Sequence, residues 1–459
     1  MTRTPFRWRR IALRSTLALL IALAALASAL YAKSEQIVLS AEAYVFGYPL
    51  VMMDLTRQSA LSTIGPENQL RRVRQFPDAR FREVVRPNVD TLYTTAFIDL
   101  AQGPWVFSMP GPRERYEVMA FLDGWTDVFA APGTRIPGNG KGLYLLAGAQ
   151  WQGQVPEDMT VLRSPTRMAW LIGRTQTNGE QDYPRVHALQ DSLQLVQLSD
   201  WQRGLRQGRE STWQAQKASS APIEQMKQMP TEAFFRQLAQ LMQDNPPSAR
   251  DEPMLRKMSR LGLAPGQSPT WGLSDRWAAR LGRWIADVTI ARELGKPRDL
   301  VQGWQTPPAI LGDYGTAYNI RAVVAMVGLG ANLPADAIYP QARVDSQGRP
   351  LQGSQRYRLH FAAGQWPPVK AFWSVTAYGR DDFLLDTPRH ALGSRDPLVA
   401  NADGSLDLWI QADPPEPARQ ANWLPVRAGR DFLLNARLYW PQEQALKGAW
   451  HMPGVERLD

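Results

Sequence analysis

The chain contains no cysteine and only four histidines, His187, His360, His390 and His451, in 459 residues. Without a thiol there is no disulfide framework, no Cys-ligated zinc or iron–sulfur cluster and no cysteine nucleophile. Four scattered histidines give a multi-His centre few donors, so no transition metal and no cofactor are expected; an oxygen-only Mg or Ca site built from Asp stays open. Also missing are a phosphate-binding G-x-x-x-x-G-K-[ST] loop, an H-E-x-x-H helix and a G-x-S-x-G elbow. Positive charge is thin once the first residues are set aside. Arg3, Arg7, Arg9, Arg10 and Arg14 carry five of the net +9 and leave +4 for the body. That is too little for a nucleic-acid footprint, so no nucleic-acid partner is expected.

What is present is a globular composition: 44% hydrophobic, 21% charged and 10% aromatic, with 36 prolines. The length suits about three domains. The five arginines precede an uncharged stretch, Ser15 to Ala32, rich in Leu and Ala. A cationic start, an apolar run and the Ala27-x-Ala29 pair describe a secretory signal peptide, with cleavage expected near Ala29 or Ala32. The run also reaches the lower limit for crossing a bilayer, so a retained N-terminal anchor is the alternative. The chain is therefore expected in the periplasm or cell envelope, held at the inner membrane if the segment stays. Arg9-Arg10 lacks, at Ala12, the bulky apolar residue of a twin-arginine signal.

Four regions follow from the patterning: 1–32 as signal or anchor, 33–178 as an N-terminal helix plus β-sandwich, 179–335 as a helical region and 336–459 as a C-terminal β-sandwich. From Glu35 to about Ala60 the pattern is helical, with a kink or new start expected at Pro49. Between Phe81 and Arg174 short apolar runs alternate with Pro-Gly turns, the rhythm of an all-β domain. Gly138-Asn139-Gly140 reads as a hairpin turn. Val186, Leu189, Leu193 and Val196 recur at helical spacing, as do Phe234, Leu238, Leu241 and Met242. The clearest helix, Asp275–Glu293, carries Trp277, Leu281, Trp284, Ile285 and Val288 in one stripe behind a Ser274 cap, a stripe that reads as core. Gln207–Ser220 and Gln243–Pro253 read as solvated loops. After Pro340, strands are expected at Tyr357–Phe361, Lys370–Tyr378, Leu406–Gln411 and Arg430–Trp440. No repeat of fixed period is evident.

Two polar clusters stand out. In Arg86-Pro87-Asn88-Val89-Asp90-Thr91-Leu92-Tyr93, Asn88 and Asp90 suit an Asx turn that starts a strand, while Arg86, Asp90 and Tyr93 could face one cleft. In Asp123-Gly124-Trp125-Thr126-Asp127, two carboxylates flank a Trp at a strand end, as in a sugar platform with acid–base groups. Together Arg86, Asn88, Asp90, Tyr93, Asp123, Trp125, Asp127 and Tyr318 form the expected ligand site, with Asp90, Asp123 and Tyr93 as the candidates for catalysis. Arg86 could clamp a carboxylate or phosphate. Asn435, Arg437 and Tyr439 share a strand face that is either a solvated exterior or a ligand wall. His360 points away from Tyr357, Leu359 and Phe361 and is read as lying outside the core.

Several blocks occur in order: R-P-N-x-D-T-L-Y, L-D-G-W-T-D-V-F, V-H-A-L-Q-D, Gly312-Asp313-Tyr314-Gly315-Thr316-Ala317-Tyr318 with Arg321, F-W-S-V-T-x-Y-G and Asn422-Trp423-Leu424-Pro425. In these the chain resembles a bacterial exported family that pairs an N-terminal and a C-terminal domain of unknown function, over roughly Leu39 to Pro453. The resemblance implies an α+β fold of two jelly-roll-like β-sandwich domains joined by a helical region, and a homo-oligomer; it transfers no catalytic residues. Two functions remain: an envelope protein binding carbohydrate or another small polar ligand in a β-domain cleft, or a metal-independent hydrolase or lyase using Asp, Tyr and Arg.

Overall fold

A single helix, α1 (Pro5–Thr63), carries the chain from its apolar leader into the centre of the body. The computed structural model describes residues 5–82, 84–111, 114–208, 220–296 and 299–458, with side chains from residue 13. Most of the expected loop Gln207–Ser220 lies outside the described residues. Leu13, Leu17, Leu20, Ile21 and Leu23 are exposed, whereas Tyr44, Phe46, Leu50, Val51 and Met53 are buried. One chain segment thus has an apolar exterior at one end and a core at the other. Such an exposed apolar helix near the N-terminus is compatible with a signal peptide or a membrane anchor. No new helix starts at Pro49, because α1 runs through it. The missing N–H forfeits one helical hydrogen bond, and burial of the surrounding residues holds the helix instead.

Nine strands follow: β1 (Arg71–Arg72), β2 (Thr91–Asp99), β3 (Trp105–Met109), β4 (Glu117–Asp123), β5 (Val128–Ala130), β6 (Gly142–Gly148), β7 (Met159–Ser164), β8 (Met168–Gln176) and β9 (Gln194–Gln197). They form two sheets, β1-β2-β8-β4-β5 and β7-β6-β3-β9. Ala96, Ile98, Phe107, Met119, Phe121, Leu146 and Leu171 fill the space between them. The N-terminal β body therefore extends past residue 178 to Gln197. Val196 lies on β9 rather than on a helix, after the short α2 (Tyr183–Ser192). Pro137–Gly140 forms a 3-10 turn that carries the chain from one sheet to the other, not a hairpin.

The helical region comprises α3 (Leu198–Gln202), α4 (Pro222–Gln228), α5 (Thr231–Asp244), α6 (Glu252–Ser259), α7 (Leu273–Leu294) and α8 (Tyr318–Val327). These helices pack around α1, with Phe234, Leu238, Met242, Ala286 and Ala322 in one core that also takes in Phe97, Val118 and Ile172 from the outer face of the first sheet. The aromatic stripe of α7 faces the other way. Trp277 is 38% and Trp284 62% exposed, while Ala278, Ala279, Gly282, Ala286 and Ile290 are buried. Close approach is the reason: a Cβ on Gly282 would lie 2.5 Å from the Ile37 carbonyl. The small-residue face therefore meets α1. Its N-cap is Gly272, to which the Asp275 side chain is bonded, rather than Ser274.

The C-terminal body contains β10 (Trp304–Gln305), β11 (Ala337–Ile338), β12 (Gln341–Ala342), β13 (Arg356–Phe361), β14 (Val369–Gly379), β15 (Ala391–Gly393), β16 (Leu406–Gln411), β17 (Trp423–Pro425), β18 (Phe432–Pro441) and β19 (Val455–Leu458), with a short α9 (Glu443–Leu446). Its sheets run β10-β12-β18-β14-β15 and β17-β16-β13-β19. That is the topology of the N-terminal body repeated. β11 and β12 together stand where β2 does, and each later strand matches the one ten earlier. Each body even has one parallel pair, β6 with β7 and β16 with β17. The repeat is invisible in sequence because it preserves burial pattern and topology, not residue spacing.

Candidate functional site

The two β bodies are bonded to each other, Asn88 to Tyr439 and Tyr116 to the Asp336 carbonyl, and β8 and β18 each carry a buried arginine. Arg174 lies beside Tyr93 on the neighbouring strand, 5.2 Å from its ring; Arg437 lies 5.6 Å from the ring of Tyr339. Both guanidiniums are buried. Arg174 donates to Asn332 Oδ1 (2.5 Å) and the Gly330 carbonyl (3.0 Å). Arg437 donates to Thr376 Oγ1 (2.8 Å), Tyr378 Oη (2.6 Å) and the Arg86 carbonyl (3.0 Å). The Asn435–Arg437–Tyr439 face is thus neither solvated nor an open wall; it is packed against the other body.

Ion pairs cross this contact in both directions. Asp90, immediately before β2, pairs with Arg395 of the C-terminal body. Asp336, immediately before β11, pairs with Arg135 of the N-terminal body at 2.7 Å. Asp90 is fully buried and both its oxygens are used: Oδ2 accepts from Ser374 Oγ (2.6 Å) and Tyr439 Oη (3.2 Å). Asn88 Oδ1 accepts from the N–H groups of Asp90 and Thr91, the Asx turn the sequence suggests, and its amide donates to Tyr439 Oη. Arg86, with φ 50°, sits at the margin 3.7 Å from Asp382 rather than with Asp90. Such reciprocal pairing is what a two-fold-related interface produces.

The second cluster is elsewhere. Along β8, Thr91 pairs with Gln176 and Asp123 with Ala169, so the two segments lie at opposite ends of one strand, about 23 Å apart at ~3.3 Å per residue. The structure therefore splits the expected single site in two. Asn88, Asp90 and Tyr93 belong to the contact between the bodies; Asp123, Trp125, Asp127 and Tyr318 come together around α8.

In this second group the turn between β4 and β5 meets the loop before α8. Val128 N–H donates to the Gly312 carbonyl (2.7 Å) and Tyr314 N–H to Asp127 Oδ1 (2.9 Å). Asp123 Oδ1 accepts from the N–H groups of Trp125 (2.8 Å) and Asp127 (3.0 Å). Arg321, 2% exposed, lies within 5.6 Å of the rings of Phe46, Trp125 and Tyr318. Its nearest carboxylate is Asp127, at 3.8 Å, and its Nε and Nη2 have no hydrogen-bond partner among the described residues. Tyr318 Oη donates to Asp251 Oδ1 (2.9 Å).

Charge is unsettled here. Burial and the neighbouring Asp127 push Asp123 up to about 7. Asp127 is raised as well, by burial first and then by Asp313 and Asp251, against the pull of Arg321. Tyr318 is pushed up to about 12 by burial and Asp251. The group opens at Asp127, whose side chain is 29% exposed, with Asp313 and Arg250 at the rim. Trp125 is not a sugar platform: it is 3% exposed, packed on Phe46 at 4.8 Å, and its Nε1 donates to the Asn245 carbonyl. The site expected from sequence did not include Arg321, Tyr314 or Asp251, although the first two lie in a block shared with the resembling family. Arg321 was within reach, because it follows Tyr318 by three residues and so shares its helix face.

Comparison with known proteins gives domains and a fold. Residues 67–197 match the family described as Protein of unknown function (DUF1254), and residues 336–443 that described as Protein of unknown function (DUF1214). The first span matches the N-terminal β body, and the second covers β11 to β18 of the C-terminal one, leaving β10 and β19 outside. The crystal structure of the VPA0106 protein from Vibrio parahaemolyticus is similar over 92% of this chain and all of its own, at 22% identity and a TM-score of 0.72. An uncharacterized protein from Burkholderia cenocepacia is 14% identical over 95% of each chain, with a TM-score of 0.43. No curated protein of matching sequence was found.

Proposed function

Two paired domains of unknown function leave the activity to be read from the site itself, and we propose that the chain is an exported envelope protein that binds a small anionic ligand at Arg321. The observation that carries this reading is the buried guanidinium without a hydrogen bond. Arg321 has an ion-pair neighbour in Asp127, but two of its buried donors go unused, and natural interiors satisfy such groups with few exceptions. A carboxylate or phosphate oxygen entering past Asp127 would take the free Nε and Nη2 donors in a fork. Phe46, Trp125 and Tyr318 wall the guanidinium and lower the local dielectric, which strengthens that contact. The buried Trp125 favours an anion over a neutral sugar.

Asp123 supports a second reading. A carboxyl at about 7 beside Asp127 is poised for general acid–base work on the bound anion, as the hydrolase or lyase alternative requires. Calorimetric titration with acetate, phosphate, glucuronate and glucose tests the first reading. Binding by the anions alone, lost in Arg321→Met, is expected; equal binding of glucose, or anion binding unchanged in Arg321→Met, overturns it. Turnover of chromogenic esters or glycosides, lost in Asp123→Asn while anion binding persists, would establish the second.

A further inference from the structure

We infer that the foot of the body, where α1 emerges, holds the headgroup of an anionic phospholipid from the bilayer that α1 enters. Helix α1 passes without a break through Ala29 and Ala32 and into the core, so its exposed apolar part leads directly into the body. Tyr31, 85% exposed, marks the upper end of the apolar stretch, where interfacial aromatics stand. Lys33 Nζ is bonded to Asp275 Oδ1 (2.5 Å), which places the start of α7 beside that end. There Leu273, 86% exposed, and Trp277 present apolar surface next to the emerging helix.

Beside them lies a cleft of about 270 Å³ lined by Phe235, Arg236, Trp271, Arg276 and Arg280, with Glu232. Glu232 is spoken for, accepting from Arg280 Nη2 at 2.7 Å. Arg276 donates only to the neutral Trp271 carbonyl (3.2 Å), and Arg236 has no acidic partner among the described residues. Phe235 and Trp271, edge to face at 5.1 Å, give the cleft an apolar floor. Three arginines thus share a single acid, Glu232, over an apolar floor at the level where α1 leaves the body, and that positive balance matches a phosphate diester whose acyl chains continue into the bilayer. The acids elsewhere on this foot are already paired, Glu35 with Arg260 and Glu42 with Lys257.

The test uses the full chain in a neutral detergent. Native mass spectrometry reads lipid adducts after addition of phosphatidylglycerol, phosphatidylcholine or inorganic phosphate. Phosphatidylglycerol should be retained about tenfold more than phosphatidylcholine, a preference lost in Arg236→Gln/Arg276→Gln and weakened in Arg276→Gln alone. The charge control Arg292→Gln, at the far end of α7, should keep it. Because Arg236 and Arg276 are both exposed, the variants should keep the wild-type circular dichroism spectrum. Equal retention of both lipids, a preference that survives the double substitution, or displacement of the lipid by inorganic phosphate overturns the inference. The Arg321 site is untouched by these variants, so its anion binding stands or falls separately.

Discussion

The turn between β4 and β5 has a twin between β14 and β15. In the first, Asp123 N–H donates to the Asp127 carbonyl and Thr126 N–H to the Asp123 carbonyl; in the second, Gly379 N–H donates to the Phe383 carbonyl and Asp382 N–H to the Gly379 carbonyl. Thr126 and Asp382 both take positive φ, 77° and 65°. Backbone strain is often taken as a mark of function. Here it belongs to the shared frame, since both copies have it. What differs is chemistry: Asp123 and Asp127 in one turn stand where Gly379 and Phe383 stand in the other. The Asp90–Arg395 and Asp336–Arg135 pairs, by contrast, occur in both halves. Duplicated ion pairs join the two bodies, whereas the acids of the first turn have no counterpart in the second.

The largest expected effect lies in the duplicated contact. Asp90→Ala strands Arg395 and frees the hydroxyls of Ser374 and Tyr439, so a loss of about 3–5 kcal/mol is expected in urea denaturation. A loss below about 1 kcal/mol would break the comparison, because Asp90 would then not be a structural keystone. Next comes the pH dependence of Asp123. Its folded pKa is raised to about 7 from an ordinary carboxylate value, so the unfolded chain gives up this proton first as pH rises. Stability should fall between about pH 4 and 7, by on the order of 2–4 kcal/mol, and level off above; Asp123→Asn should remove that slope. Denaturation curves at four pH values would check both.

Smaller again is Arg135→Ala. It breaks the mirror-image pair, but Arg135 is 30% exposed, and solvent screening should hold the loss to about 1–2 kcal/mol. An effect as large as that of Asp90→Ala would make the two pairs equivalent. The smallest stability change is expected for Arg321→Met, within about 1 kcal/mol of wild type or above it, since it removes a buried charge that has no hydrogen bond. Calorimetry on the same variant should show anion binding gone. A loss of several kcal/mol would instead place Arg321 among the structural arginines.

Much of the fold was legible because it rests on local pattern. Leu406–Gln411 is a strand with the expected bounds, and α5 follows its apolar spacing. The failures have physical causes. The α7 stripe misled because aromatic side chains were weighed above Ala and Gly, while helix contact with α1 selected small residues for close approach. A new helix start at Pro49 was one expectation from a local cost that tertiary burial overrides. The expected grouping of the two acidic segments does not form, since β8 separates them by its own length. Which arginine meets which acid depends on contacts between distant parts of the chain, 194 residues apart for Arg321 and Asp127 and 305 for Arg395 and Asp90, and no spacing encodes those.

Helix α1 also fixes a height. At 1.5 Å per residue, the 15 residues from Tyr31 to Phe46 make a post of about 22 Å. Phe46 stands against Arg321, so in a chain held upright in a bilayer the guanidinium would ride at about that elevation above the lipid surface. A post of this stiffness works as a ruler. Ligands diffusing freely in solution would reach the site at any time, whereas a membrane-tethered ligand would need a stalk long enough to climb those two nanometres.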